Sequence, residues 1–427
     1  MRTSTFILTT FFCVALLMLN GPASSDELFP DPSDLPSLAE LPDPFTMFDG
    51  TPVKTPDEWY EHRRPELKKL FQYYMYGFMP HPPVIHAKTT KIDAAVFGGK
   101  ATFKEVEIRF PALPDNAPKI HLAVFVPNQG QGPYPVFLGL NSHGNQTVVD
   151  YPGVTFNSDV YIREGNRGKG VNERGALKDF WCVENKIDRG YAFAVYYQGD
   201  MDPDFNDFTN GIHPFYQDDL PYPKDAQWAT LSAWAWGLHR CIDYLVTDDD
   251  IDDGRICLIG HSRRGKTVLL ASALDERVAL VVPHQSGTGG CALSRNNDQE
   301  TVERINRVFP HWFNGNFKKF NNNEDKLPFD QHLLVSLVAP RALLDTAGLK
   351  DTWANYESAL RNLKAADKVY KFLGTEGMVG DGVIFGEEPI NKDTVGNLLQ
   401  YRRDTTHTLN IDYWNRILDY ADAYFSQ

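Results

Sequence analysis

Cysteine is scarce in this chain, with five in 427 residues, and no two form a C-x-x-C pair. That excludes a zinc ribbon or a thioredoxin-type redox pair. Positive charge is also in short supply: 42 Lys and Arg stand against 56 Asp and Glu, a formal net charge of −14. The cations are scattered, which argues against a nucleic-acid binder, since that class shows a basic face or stripe. There is no H-E-x-x-H motif and no paired histidine spacing, so neither a metal nor another cofactor is expected. Internal repeats are absent. Long apolar runs are absent too, apart from Phe6 to Leu19, and that run is roughly 14 residues long against the ~20 needed to span a bilayer.

The same run explains itself as an export signal. Arg2 supplies a positive start, and Ala23-Ser24-Ser25 offers small residues before Asp26. Residues 1–25 are therefore read as a cleaved signal peptide, and the protein as secreted or periplasmic. Its removal takes Cys13 and leaves Cys182, Cys241, Cys257 and Cys291. Export permits disulfides, but pairing cannot be read from sequence. Cys257 lies in an apolar strand pattern and reads as a buried thiol.

What is present is enough for a large core, with 42% hydrophobic and 13% aromatic residues. Residues 26–90 read as a lead-in plus one helix packing on the core, Thr55 to Gly77, which Thr55 can cap and Gly77 can end. Residues 91–427 read as the catalytic domain. Strands are expected at Thr102–Phe110, Ile120–Val126, Tyr134–Leu140, Ala192–Tyr197, Arg255–Ile259, Val278–Val282 and Arg341–Leu344, and helices at Ala226–Leu245, Arg264–Leu274 and Trp414–Tyr424. Early antiparallel strands followed by strand–helix alternation predict a mixed, mainly parallel sheet in a three-layer αβα sandwich. Two polar stretches, 141–188 and 287–330, read as insertions above the sheet, where substrate sites lie.

The strongest local signal is Arg255-Ile-Cys-Leu-Ile-Gly-His-Ser-Arg-Arg-Gly265. A short apolar strand runs through Gly260-His261-Ser262 directly into a helix pattern, the nucleophile elbow of an α/β-hydrolase fold. The spacing departs from G-x-S-x-G, because Arg264 occupies the second position after the serine and Gly265 the third. The competing reading makes Ser262 a helix cap. In this fold the acid and then the histidine follow the serine. Of twelve histidines only His407 lies beyond the strand at 341–344, in the loop before the last helix, and it is the expected general base. Asp351, in the loop after that strand, is preferred as the acid over Asp345, which lies close to the strand itself. Oxyanion donors are expected from the backbone N–H of Arg263 and from the loop 139–147, whose Gly144 allows close approach. His143 reads as pocket lining or a local hydrogen-bonding group. The run Asp248 to Gly254 hints at a calcium loop, but Ile259 stands where the bidentate Glu would be needed.

The elbow Gly260-His-Ser-Arg-Arg-Gly-Lys266 resembles that of the glucuronoyl esterases of carbohydrate esterase family 15. So do Ser286-Gly-Thr-Gly-Gly290, Ala292-Leu-Ser-Arg295, Phe309-Pro-His-Trp312, Ala339-Pro-Arg341 and Asp351-Thr-Trp353-Ala, within a similarity covering about residues 55–425. The resemblance implies a serine esterase that cleaves 4-O-methyl-glucuronoyl esters of a polysaccharide such as glucuronoxylan. It makes the Arg263 side chain an oxyanion stabiliser, and Lys266, Glu300 and Trp353 ligands of the uronate's hydroxyls and ring. Many members carry Glu or Asp where this chain has Gln285. An amide there can hydrogen-bond His407 or line the substrate pocket but supplies no charge, which leaves the acid role to Asp351. The loop that often reads D-x-W-A-D-P is Asp351-Thr-Trp-Ala-Asn-Tyr356 here. The expected partner is a polysaccharide uronate ester, with the enzyme acting as a monomer. The alternatives are another carbohydrate esterase, such as an acetyl xylan esterase, or a non-catalytic carbohydrate-binding protein.

Overall fold

Side-chain alternation along the strands builds two cores, one on each face of a single sheet. On the strand Ile251–His261, Ile256 and Leu258 join one buried cluster while Cys257 and Ile259 join the other. On Tyr134–Asn141, Val136, Leu138 and Leu140 face the first cluster and Phe137 the second. Such double-sided burial is the mark of a sheet covered by helices on both faces. The computed structural model describes residues 29–161, 172–216 and 220–426, so the expected leader at 1–25 and part of the 141–188 stretch lie outside them.

In chain order the strands are β1 (His86–Ala95), β2 (Ala101–Arg109), β3 (Ile120–Pro127), β4 (Tyr134–Asn141), β5 (Ala192–Tyr197), β6 (Ile251–His261), β7 (Val278–His284), β8 (Ala342–Gly348), β9 (Met378–Phe385) and β10 (Leu398–Arg403). They form one ten-stranded sheet in the order β1-β2-β3-β5-β4-β6-β7-β8-β10-β9. The β1/β2, β2/β3 and β3/β5 pairs are antiparallel and all later pairs parallel. Helices Thr230–Leu245, Arg263–Leu274 and Tyr356–Phe372 bury their apolar faces in the first cluster; Val183–Asp188 and Ile411–Phe425 do so in the second. This is the expected three-layer α/β-hydrolase arrangement.

The helical run 56–76 starts with a capping box between Thr55 and Glu58 and ends at Gly77, with φ 87°. Its Trp59, Leu67, Leu70 and Phe71 are fully buried in the first cluster, so this region shares the main core. Strand β1 runs across the boundary expected at residue 91. The described cysteines, Cys182, Cys241, Cys257 and Cys291, are all free thiols, and only Cys182 is not buried. Among the described residues no helix is long and apolar enough to cross a membrane.

Candidate active site

Ser262 sits where β6 turns into the helix Arg263–Leu274, with φ 61° and ψ −125°. A side-chain-bearing residue is strained there, and such strain collects at functional positions. It stands at the N-cap position, yet its side chain makes no capping hydrogen bond. The turn is tight. A Cβ on Gly260 would lie 2.2 Å from the Arg264 carbonyl oxygen, and one on Gly265 would lie 2.9 Å from Ser286 Cβ and 3.0 Å from Gly260 O. Close approach is thus required at 265 and not at 264, which is why an arginine is tolerated two residues after the serine.

His407 comes from the loop after β10. Its Nδ1 lies 2.6 Å from Asp351 Oδ2, and the aspartate is 5% exposed against 40% for the imidazole. A carboxylate accepts from Nδ1–H, which leaves Nε2 unprotonated. Asp351 itself is anchored by its backbone N–H to Gly348 O at 3.0 Å. Asp345, the other expected candidate, lies in β8 and is buried. It accepts 2.7 Å from Gln400 Nε2, and burial pushes its pKa up to about 6 against hydrogen bonds from Gln400 and Cys291. Two more histidines adjoin His407. The His261 ring centroid lies 4.2 Å from that of His407, and His284 lies 5.1 Å from His261. Burial above all holds both neutral, with His284 pushed down to about 3, so neither opposes a positive charge forming on His407. Gln285 makes no hydrogen bond to the His407 ring among the described residues. Its amide bonds the main chain at Thr406 and Thr408 instead.

The Arg263 guanidinium is held from below. One nitrogen is bonded to Asp204, and the group lies 4.5 Å from the Trp312 ring centroid and 4.7 Å from that of Phe309. Asp204 also accepts from His311 Nε2 and Trp312 Nε1, each at 2.9 Å. Burial alone would raise its pKa, but the Arg263 charge and these two donors outweigh it and hold the carboxylate ionised. Lys266 is buried, and all three of its N–H donors are taken: by Glu300 Oε2 at 2.8 Å, Ser286 O at 2.7 Å and Thr288 O at 2.5 Å. Glu300 Oε2 also accepts from Thr288 N–H at 3.0 Å. Its Oε1 makes no hydrogen bond among the described residues. Trp353 lies beneath the Arg304 guanidinium, 4.0 Å from ring centroid to Cζ.

These residues share one cavity of about 280 Å³. Ser262, Arg263, Lys266, Gln285, Glu300, Asp351, Trp353 and His407 line it with Phe309 and Trp312. These eight expected residues therefore converge, while Asp345 does not join them. The 139–147 loop does not line it; of the two expectations for His143 the local hydrogen bond holds, to Ser142 Oγ at 2.6 Å, with burial pushing its pKa down to about 4. A larger cavity of about 580 Å³, between Phe97, Val148, Cys182 and Ile411, contains none of the expected residues. Asp204 escaped the sequence reading. The available signal was the acidic run Asp200, Asp202, Asp204 just beyond the carboxyl end of β5, where open α/β sheets place their sites.

A family model described as "Glucuronyl esterase, fungi" matches residues 176–374. Carbohydrate esterase MZ0003 of an unknown prokaryotic organism is 39% identical over 399 residues, covering 90% of each chain. The 4-O-methyl-glucuronoyl methylesterase of Schizophyllum commune is 29% identical over 79% of this chain and 75% of its own. Among solved structures, a promiscuous CE15 esterase from a marine bacterial metagenome superposes with a TM-score of 0.80 at 38% identity, covering 92% of this chain and 98% of that one. The chain belongs to carbohydrate esterase family 15, the glucuronoyl esterases, and is a carboxylic ester hydrolase.

Proposed function

We propose that this protein hydrolyses 4-O-methyl-glucuronoyl esters of a polysaccharide such as glucuronoxylan through an acyl-enzyme on Ser262. The observation that carries the reading is the single cavity that holds Ser262, the Asp351–His407 pair and the Glu300 and Trp353 side chains together. His407 Nε2 takes the proton of Ser262 Oγ as the oxygen attacks the ester carbonyl. Asp351, fixed on Nδ1, stabilises the imidazolium and its orientation. The oxyanion meets the Arg263 backbone N–H at the start of a twelve-residue helix and the guanidinium nitrogens not engaged by Asp204. The alcohol leaves with the proton from His407. Water, activated by the same histidine, then releases the uronic acid and restores Ser262. Glu300 Oε1 accepts from a sugar hydroxyl, and Trp353 offers a ring face to the pyranose. The cavity is small, in keeping with one sugar ring entering while the polymer stays outside.

A second reading, a carbohydrate esterase of wider acyl range such as an acetyl xylan esterase, is favoured by one observation. Lys266 has no donor left for a uronate hydroxyl, so fewer charged contacts are reserved for that ring. We further infer that residues 1–25 are removed on export and that the protein acts outside the cytoplasm as a monomer. Hydrolysis of methyl glucuronate and of acetylated xylan by the purified protein separates the two readings. A fluorophosphonate probe that labels wild type but not Ser262→Ala supports the nucleophile; no labelling of either leaves the carbohydrate-binding alternative.

A further inference from the structure

We propose that Gln285 is a positioning residue for His407, its carboxamide clamping the main chain on both sides of the residue that carries the imidazole. The inference rests on the reading of His407 as general base. Gln285 follows the last residue of β7 and is itself held in the left-handed region, φ 45°, with its N–H on Thr346 O at 2.9 Å. Its Oε1 accepts from Thr408 N–H at 2.9 Å, and its Nε2 donates to Thr406 O at 3.1 Å. The neighbouring His284 completes the strap, with Nε2 donating to Thr408 O at 2.8 Å while Nδ1 accepts from Thr346 Oγ1 at 2.5 Å. Three main-chain groups of the 406–408 segment are thus fixed to the end of β7. The space is made by Gly348, where a Cβ would lie 2.7 Å from Gln285 Nε2 and 2.6 Å from Thr405 O.

The polarity of the clamp is not negotiable. A backbone N–H only donates and a backbone carbonyl only accepts, so the group at 285 must be acceptor at one end and donor at the other. An amide does both; an ionised carboxylate only accepts. A glutamate here would set an oxygen against Thr406 O unless it were protonated. The titratable groups around the amide are His261 from β6, 3.2 Å from Oε1, His284 from β7, Tyr413 from the last helix at 3.5 Å, and His407 with Asp351 from their loops. Burial holds His261 and His284 neutral, so no standing cation among them would compensate a carboxylate.

The test compares Gln285→Met, Gln285→Glu and wild type on methyl glucuronate from pH 5 to 9, with melting temperatures recorded. Gln285→Met is expected to lower kcat by about 10²-fold with KM changed by less than about threefold, the scale of a misplaced catalytic group. For Gln285→Glu the ratio of its kcat to wild type should be near one at low pH and fall as pH rises, because only the protonated acid can donate to Thr406. That trend within one protein stands even if the methionine variant folds poorly. Rescue of Asp351→Asn by Gln285→Glu would overturn the inference, since it would place the carboxylate on the imidazole. A flat ratio with pH would overturn it too. His407→Ala separates the two levels: if that variant keeps its rate, the base assignment has failed rather than the clamp.

Discussion

Lys266 and Glu300 form an ion pair at 2.8 Å with side chains only 3% and 4% exposed, and the lysine's other two donors hold the carbonyls of Ser286 and Thr288. Lys266 therefore works on the protein, and only Glu300 presents a free acceptor edge to the cavity. Lys266→Ala strands a buried carboxylate and two carbonyls, and is expected to cost about 3–5 kcal/mol of stability and to depress hydrolysis of every ester. Glu300→Gln keeps an acceptor for Lys266 and is expected to melt closer to wild type. It should lose about 1.5–3 kcal/mol in kcat/KM on methyl glucuronate and little on a small acetate ester. Thermal melts and kinetics on both esters check this, and equal losses on both esters for Glu300→Gln would remove the uronate contact.

Ser262→Ala is expected to lower kcat by about 10⁴–10⁶, and Asp351→Asn by about 10⁴, the scale of losing triad members. Asp345→Asn should leave the rate within a few-fold, because the aspartate is enclosed with Gln400 and, among the described residues, makes no hydrogen bond to His407. Steady-state rates of the three variants decide between the two acids.

Asp204 should matter to catalysis only through Arg263. Asp204→Asn is expected to lower kcat by about 10²–10³, the loss seen when one oxyanion donor is removed. With Arg263 already changed to Ala, adding the Asp204 change should cost little more. A double-mutant cycle measures this coupling, and additive losses would mean that the two side chains act separately.

Asp345 supplies a pH signature of stability. Unfolded, it titrates near its ordinary 3.8; folded, it titrates at about 6, chiefly because burial penalises the charge. Its protonated form contributes fully below the unfolded value, and that contribution is lost as pH rises through the folded one. The shift corresponds to about 3 kcal/mol at 1.36 kcal/mol per unit. Asp345→Asn, which stays neutral, is therefore expected to be more stable than wild type by up to that amount at pH 7.5 and equal to it below about pH 4. Denaturant titrations at the two pH values check it.

The elbow was legible in the sequence because its parts are contiguous: an apolar strand, Gly260, Ser262 and a helix pattern follow within a dozen residues. His407 was legible by chain order, as the only histidine beyond β8. The roles of Lys266 and Gln285 were not, because their partners lie far along the chain; the Gln285 contacts to Thr406 and Thr408 span 121 and 123 residues. Asp204 reaches Arg263 across 59 residues. Strand β1 also escaped, since HAKTTKIDAA is exposed along most of its length and shows no alternation. The helix Tyr356–Phe372 was missed although Ala359, Leu363, Ala366 and Tyr370 mark one buried face at helical spacing.

The four free thiols bear on how this protein can be made and kept. A fold whose described cysteines are all unpaired asks nothing of an oxidising compartment or a disulfide isomerase. A chain beginning at Asp26 should therefore reach the same structure in a reducing cytosol as outside the cell. Three of the thiols are sealed in the core, where burial holds them in the unreactive protonated form. Oxidative ageing in storage then has one foothold among them, Cys182, on the wall of the larger cavity and not among the residues that line the candidate active site.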